Sequence, residues 1–332
     1  MHQKVLVKAQ ITLFLIMLIC VSQAHAFRFV VYADSRAPKG DPNLFNHEVL
    51  GYINSQVQSL HPKPRFALFL GDMVNRGWDA TYSHNNLFDW KAFMKDGLGD
   101  IPLFVGIGNT DLYGNTGWTE YPLQAQYQDV FKNLPKNGPH NYKQLAYSFE
   151  YGKGKERSLF VILDSFGFYN AEGNWVNFDN GYDSEQIKWF SKKARCSTAK
   201  HKFTLTHGPC FSVEGFPVQD SVRTIWKIME KFRFDMFYCG HEHIFSRWTI
   251  DKNVFPDSTR KQTQTIVGSA GANPDNPANV KVNPKKAHIY SGYTFVVVDV
   301  KGDKIVQRAY AAVPNVQGGF STKRIDTFIL SK

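Results

Sequence analysis

The sequence predicts an α/β fold, with a mixed or two-layer β arrangement at the centre and helices outside. Three observations lead to it. Apolar runs alternate with helix-like segments through most of the 332 residues. Hydrophobic residues make up 43% and aromatic residues 15% of the chain, which excludes disorder and supplies a substantial core. Several of the apolar runs end on a short turn that carries Asp, Asn or His.

The first 26 residues read as an export signal. Lys4 and Lys8 supply positive charge, Ile11 to Val21 form a short apolar run, and Ala24-His25-Ala26 is a small-x-small cleavage site. An uncleaved anchor and a lipoprotein are the alternatives. The run is short of the roughly 20 apolar residues a membrane span needs, and Ile19 before Cys20 is bulkier than lipoprotein processing accepts. The expectation is therefore a signal peptide at 1–26 and one domain at 27–332, periplasmic or secreted, with no stable membrane insertion once the signal is removed.

The formal charge of +10 could steer anionic substrates. It fits a plain basic surface equally well, because Lys252, Lys261, Lys281, Lys285 and Lys286 lie in polar stretches. No basic stripe interleaves with aromatics at regular spacing, which argues against a nucleic-acid-binding module. Beyond the signal, Cys196, Cys210 and Cys239 are an odd number and allow at most one internal disulfide, Cys196 with Cys210 being one open pairing. Cys239 ends an apolar run and reads as a buried thiol.

In chain order the strands are expected at Phe27 to Ala33, Phe66 to Leu70, Leu103 to Ile107, Leu159 to Leu163, Lys202 to Thr206 and Phe234 to Cys239. Helices are expected near Asn43 to Leu60, Asn86 to Met94, Ser184 to Ala194 and Asp220 to Phe232. Asp183 or Ser184 can cap the third helix, where Ile187 and Phe190 fall at helical spacing. After His243 short strands follow at Thr263 to Val267, Thr294 to Val300 and Ile305 to Tyr310. The stretch from Leu112 to Gln144, rich in Asn, Gln, Gly, Pro and aromatics, reads as a long loop beside the site. Trp78, Trp118, Trp175 and Tyr113 are expected in loops, where packing is a commoner use than stacking on a substrate.

Five strand ends carry possible metal ligands. They are Asp34 after Tyr32-Ala33, Asp72 in Leu70-Gly71-Asp72, Asn109 in Gly106-Ile107-Gly108-Asn109, His207 in Leu205-Thr206-His207, and His241 and His243 in Cys239-Gly240-His241-Glu242-His243. Each alone is weak: Gly-Asp and Gly-Asn mark turns, and a lone His after a strand more often makes a structural hydrogen bond. Gly-His-x-His is stronger, since alternate residues of an extended segment share a side. Ligands gather outside the carboxyl ends of strands in open α/β sheets, so these side chains are expected to converge. Carboxylate, amide and imidazole together suit one or two divalent or trivalent ions of Fe, Mn or Zn better than Ca.

Taken together, Asp34, Gly71-Asp72, Gly108-Asn109, His207 and Gly240-His241-Glu242-His243 resemble the calcineurin-like metallophosphoesterases, the group that includes purple acid phosphatases. The similarity runs from about Phe29 to Val300. Tyr147 to Gly152 with Phe160 to Ser165 looks like the family's middle hairpin, Gln186 to Phe190 like its following helix, and Ile266 to Ala272 like its Gly-rich turn. The resemblance implies a two-layer β-sandwich flanked by helices, of the metallo-dependent phosphatase type. It implies a first metal on Asp34, Asp72 and His243, and a second on Asp72, Asn109, His207 and His241. The activity it implies is hydrolysis of phosphate mono- or diesters of a small substrate by a metal-activated water. A non-catalytic exported metal- or phosphate-binding protein is the alternative.

Two positions depart from the family pattern. Arg36 stands where Asp-x-His would supply a ligand, and a guanidinium cannot coordinate. The first metal is then weakly held, completed by water, or replaced by the charge of Arg36. Arg36 is also suited to clamp a phosphate through paired hydrogen bonds, a role weighed against simple solvent exposure or pairing with an acid. Thr110 replaces the histidine that resembles the family's general acid, which leaves Asp111 beside it with a turn or capping role.

Overall fold

Every residue of Phe27–Tyr32 (β1) except Arg28 is buried, as expected of a central strand covered on both faces. In the computed structural model the described residues are 26–38, 44–75, 80–115, 120–169, 175–177, 180–282 and 287–332. Residues 1–25 of the expected signal lie outside them, as do Trp78, Trp118 and the side chains of Tyr113 and Trp175.

β1 pairs in parallel with Phe66–Leu70 (β2), which pairs in parallel with Leu103–Gly106 (β3). On its other side β1 meets an antiparallel set, Tyr293–Lys301 (β15), Lys304–Pro314 (β16) and Phe320–Ser331 (β17), completing a six-stranded sheet ordered β17-β16-β15-β1-β2-β3. The second sheet has a parallel centre of Ser158–Ile162 (β7), His201–Leu205 (β10), Met236–Cys239 (β11) and Gln262–Val267 (β13). Tyr147–Tyr151 (β6) closes one edge, and Phe245–Ile250 (β12) with Ala287–Tyr290 (β14) closes the other. Two short hairpins stand apart, Tyr113–Asn115 (β4) with Glu120–Pro122 (β5), and Gly167–Tyr169 (β8) with Trp175–Asn177 (β9).

The sheets face each other across an aromatic seam. Phe160 stacks on Phe149 and Phe203 at 4.9 and 4.8 Å and meets Phe29 and Phe66 edge-on at 5.2 Å each, geometries that add to plain area burial. Helices cover the outer faces. His47–Gln58 (α1) is capped by the Asn46 side chain, which accepts from the Val49 N–H, and it buries Leu50, Ile53 and Val57 at helical spacing. Ala80–Leu98 (α2) lays Trp90 edge-on against Phe69. On the other side, Ser184–Cys196 (α5) is capped by Asp183, and Asp220–Lys231 (α6) buries Val222, Ile225, Trp226 and Met229. Gln186 of α5 accepts from the N–H of Asp164 and donates to its carbonyl, both at 2.8 Å, fixing the helix to the end of β7. The fold is the expected two-layer β-sandwich flanked by helices.

Two expectations need correction. The stretch 112–144 is no long loop: it contains Gln124–Val130 (α4), whose Tyr127, with Leu123 and Phe131, packs into the core at i, i+4 spacing hidden among polar residues. α2 runs well beyond Asn86 to Met94, because Leu87, Trp90, Met94 and Leu98 continue one buried stripe. Cys196, Cys210 and Cys239 are all unpaired, with Cys210 buried and Cys239 the buried thiol that was expected. Among the described residues no helix is long and apolar enough to cross a membrane.

Because Phe160 touches four rings from both sheets, Phe160→Ala is expected to lower the unfolding free energy by about 3–5 kcal/mol. Equilibrium urea unfolding should show this as a lower midpoint at unchanged m, and a loss under about 1 kcal/mol would mean the seam is not the core's centre.

Candidate metal centre

The carboxyl ends of β1, β2 and β3 in one sheet and of β10 and β11 in the other open onto one cluster, which brings Asp34, Asp72, His207, His241, His243 and Arg36 together, with Asn109 beside the Thr110 N–H that bonds Asp72. Of the six non-glycine residues with positive φ among the described residues, three belong to this cluster: Asp34 at 59°, Asp72 at 53° and His241 at 71°. Left-handed backbone is unfavourable for such side chains and persists where the surroundings enforce it.

Asp34 is held from two directions. Its Oδ2 accepts from the His241 N–H at 3.0 Å. The Gly-rich turn after β13 grips its backbone, Ala270 N–H donating to the Ala33 carbonyl at 2.7 Å and Ala272 N–H to that of Asp34 at 2.9 Å. Asp72 follows Gly71, whose φ of 88° makes the turn out of β2, and a Cβ on Gly108 would overlap Asp72. Asp72 Oδ1 accepts from Thr110 N–H at 3.0 Å. The buried Asp111 carboxylate links the two loops, accepting from the N–H groups of Asp72 (2.8 Å), Gly108 (2.9 Å) and Met73 (3.0 Å). Asp111 therefore ties the turns that carry Asp72 and Asn109, where the sequence offered only a turn or capping role. Thr110 Oγ1 donates to the Val74 carbonyl, so its hydroxyl is spent on the loop.

The histidines are oriented by carbonyls. His207 Nδ1 lies 2.7 Å from the Leu70 carbonyl and His243 Nδ1 lies 3.0 Å from that of Asn273. A carbonyl only accepts, so Nδ1 carries the hydrogen in both and Nε2 faces the cluster. His207 Nε2 is 3.2 Å from Asp72 Oδ1 and 3.9 Å from Asp34 Oδ1. His243 Nε2 is 3.6 Å from Asp34 Oδ1, and the His243 N–H donates to Asp275 Oδ2 at 2.6 Å. The His241 ring packs 5.0 Å from Phe166. Contrary to expectation, Gly240 to Ile244 is a run of bends with His241 left-handed, not an extended segment, because the His241 N–H must reach Asp34. Asp275, the Asn273 carbonyl and Phe166 escaped sequence reading, since none follows a recognisable ligand motif.

Ligand atoms of Asp34, Asp72 and His243 all lie within 4.8 Å of one another. Arg36 borders the same three residues, its Nη2 3.3 Å from His243 Nε2 and its Nε 3.5 Å from Asp72 Oδ2. Elsewhere the cluster is short of partners: Asp34 Oδ1 and Asn109 Oδ1 are buried with no hydrogen bond, and Arg36 Nε makes none either. Such buried oxygens are costly unless something binds them, and their chemistry fits a cation.

The charges explain the strain. Burial, with Asp72 beside it, pushes Asp34 well above the usual carboxylate range. Burial opposes ionisation of Asp72 too, yet His207 and Arg36 hold it well below that range. Against its own burial, His207 is held up at about 9 by Asp72 and Asp34. Burial and then His207 press His241 down to about 3. Burial and Arg36 also lower His243. For scale, two like unit charges about 4 Å apart repel by about 4 kcal/mol at an effective dielectric constant of about 20, and a divalent ion doubles this.

The family described as calcineurin-like phosphoesterase matches residues 28–245. No curated protein sequence matches the chain. Among solved structures it is similar to purple acid phosphatase PPD1 from yellow lupin (Lupinus luteus) seeds, at 15% identity and TM-score 0.62 over 93% of this chain and 54% of that one. It is also similar to PhoD, at 12% identity and TM-score 0.65 over 92% of this chain and 70% of that one. GAP50, the anchor in the inner membrane complex of Plasmodium, follows at 14% identity and TM-score 0.55 over 91% and 89%. The family match ends just past His243, while the likeness of fold continues through the C-terminal strands. The chain spans little more than half of the lupin protein.

In the metal-free protein His207, at about 9, is protonated at pH 7, and only its neutral form can bind a metal. Adding Zn²⁺ at pH 7 should therefore release about one proton, and affinity should rise with pH until about pH 9. Calorimetry in buffers of different ionisation enthalpy measures the release; no release at pH 7 would contradict this charge state.

Proposed function

Given that the chain belongs to the calcineurin-like phosphoesterase family, we propose that it hydrolyses phosphate mono- or diesters of small substrates in a metal-dependent reaction. The observation that carries the reading is the set Asp72, Asn109, His207 and His241, in which Asn109 Oδ1 is buried without a hydrogen bond and His207 Nε2 lies 3.2 Å from Asp72 Oδ1. A bound cation would supply Lewis acidity toward the phosphoryl oxygens and acidify a water nucleophile. Fe, Mn and Zn all suit these ligands.

The chain's own residues do the rest. Asp111 holds the loops of Asp72 and Asn109 at a fixed separation, and the carbonyls of Leu70 and Asn273 aim His207 and His243. Arg36, with about a third of its side chain exposed, presents a permanent charge at the edge of the cluster, where it can hold a phosphate as negative charge builds up. Thr110 offers no proton to the leaving group, since its hydroxyl bonds to Val74. The short apolar run before Ala24-His25-Ala26 supports action in the periplasm or outside the cell.

A non-catalytic binding protein is the second reading, favoured by the Thr110 hydroxyl being turned away from the cluster. The two separate by turnover. Aryl phosphates should be hydrolysed, with Asp72→Ala or His241→Ala lowering the rate at least about 10²-fold. Chelation should abolish activity and Mn²⁺ or Zn²⁺ restore it. Metal-loaded protein inert toward a broad panel of monoesters, diesters and pyrophosphate would sink the phosphoesterase reading.

Without a general acid, alkyl phosphates should react about 10²- to 10⁴-fold more slowly than aryl phosphates. Rates plotted against leaving-group pKa give the test, and a flat plot would show that another group delivers the proton.

A further inference from the structure

We infer that Arg36 takes the place of one of two cations: the chain holds a single metal ion, on Asp72, Asn109, His207 and His241, and the guanidinium supplies fixed positive charge where Asp34, Asp72 and His243 would hold a second. This deepens the reading of the site given above and rests on it for the nature of the ligand.

The two halves of the cluster differ in which atoms are already used. In the half around His243, Nδ1 donates to the Asn273 carbonyl, which leaves a lone pair on Nε2, and that lone pair faces Arg36 Nη2 at 3.3 Å. Asp72 Oδ2 faces Arg36 Nε at 3.5 Å. Two of the three ligand atoms there are therefore turned toward N–H groups. A guanidinium has only donors and keeps its charge at any working pH, so it competes with a cation for the same lone pairs and cannot join it as a ligand.

In the other half Asn109 Oδ1 is buried and lacks any hydrogen bond, and His207 Nε2 lies 3.2 Å from a fellow ligand, Asp72 Oδ1, rather than from Arg36. Asp34 Oδ1, equally without a partner, is 3.9 Å from His207 Nε2 and is within reach of this half too.

Arg36 is also anchored. Its N–H donates to the Asp72 carbonyl at 3.3 Å, and it forms an isolated bridge with Phe45. Beside it the Ser35 hydroxyl donates to the Met73 carbonyl at 2.7 Å and accepts from Trp90 Nε1 at 2.8 Å. The backbone carrying Arg36 is thus locked to the loop that carries Asp72, and the guanidinium cannot withdraw by a loop movement that leaves Asp72 in place.

The test counts ions without any substrate. Metal-free wild type is titrated with Zn²⁺ alone at pH 8 by calorimetry, and the bound metal is measured by elemental analysis after gel filtration. One ion per chain is expected, and two would overturn the inference. His243→Ala should still bind one ion and His241→Ala none; the opposite pattern would overturn it. Arg36→His removes the charge and offers a ring nitrogen, so it should bind two ions, and uptake of only one would show that Arg36 is not what excludes the second. If Arg36→His does not fold, the His243 and His241 variants decide alone. A one-ion protein without turnover would defeat the phosphoesterase reading and leave this inference standing; a two-ion protein with turnover would do the reverse.

Discussion

Two carboxylates, Asp34 and Asp72, are buried side by side, and the rest of the site answers that constraint. Burying a single charge is costly and burying two of the same sign is worse, so positive charge has to be brought to them. Arg36 and His207 bring it, and unpartnered ligand atoms on Asn109 and Asp34 mark where a cation would add more. Left-handed backbone at Asp34, Asp72 and His241 is the conformational cost of directing these groups inward.

The sandwich supplies the rigidity that makes such strain tolerable. Its aromatic seam fixes the two sheets face to face, so the ends of β1, β2 and β3 stand opposite those of β10 and β11. Loops leaving these ends are then tied to one another. Asp111 joins the turns after β2 and β3, the His241 N–H joins β11 to Asp34, and the Gly-rich turn after β13 joins Ala33 and Asp34 to the second sheet. A ligand set drawn from both sheets is placed to within hydrogen-bond tolerance by backbone contacts, which do not depend on the identity of the bound ion.

The departures at positions 36 and 110 affect different steps. Thr110 keeps the backbone N–H that supports Asp72 and spends its hydroxyl on the Val74 carbonyl, so the binding geometry at Asp72 is spared. Arg36 changes the electrostatics of the cluster, lowering both Asp72 and His243 and replacing an exchangeable charge with a permanent one.

The fold class, the strands of both parallel centres and the approach of Asp34, Asp72, His207, His241 and His243 to one another were legible in the sequence. Hydrophobic periodicity reports burial directly, and ligands at strand ends follow from the geometry of parallel sheets. Less was visible where a residue's neighbours are far away in the chain. α4 stayed hidden because its buried face, Leu123, Tyr127 and Phe131, is surrounded by Gln and Asn. The bends at Gly240 to Ile244 could not be foreseen because the partner that imposes them, Asp34, is 207 residues away. Only the tertiary structure decided where Arg36 goes. The sequence showed that it cannot be a ligand, but its contacts with Asp72 and His243 arise from two loops meeting in space, and local pattern carries no record of such a meeting.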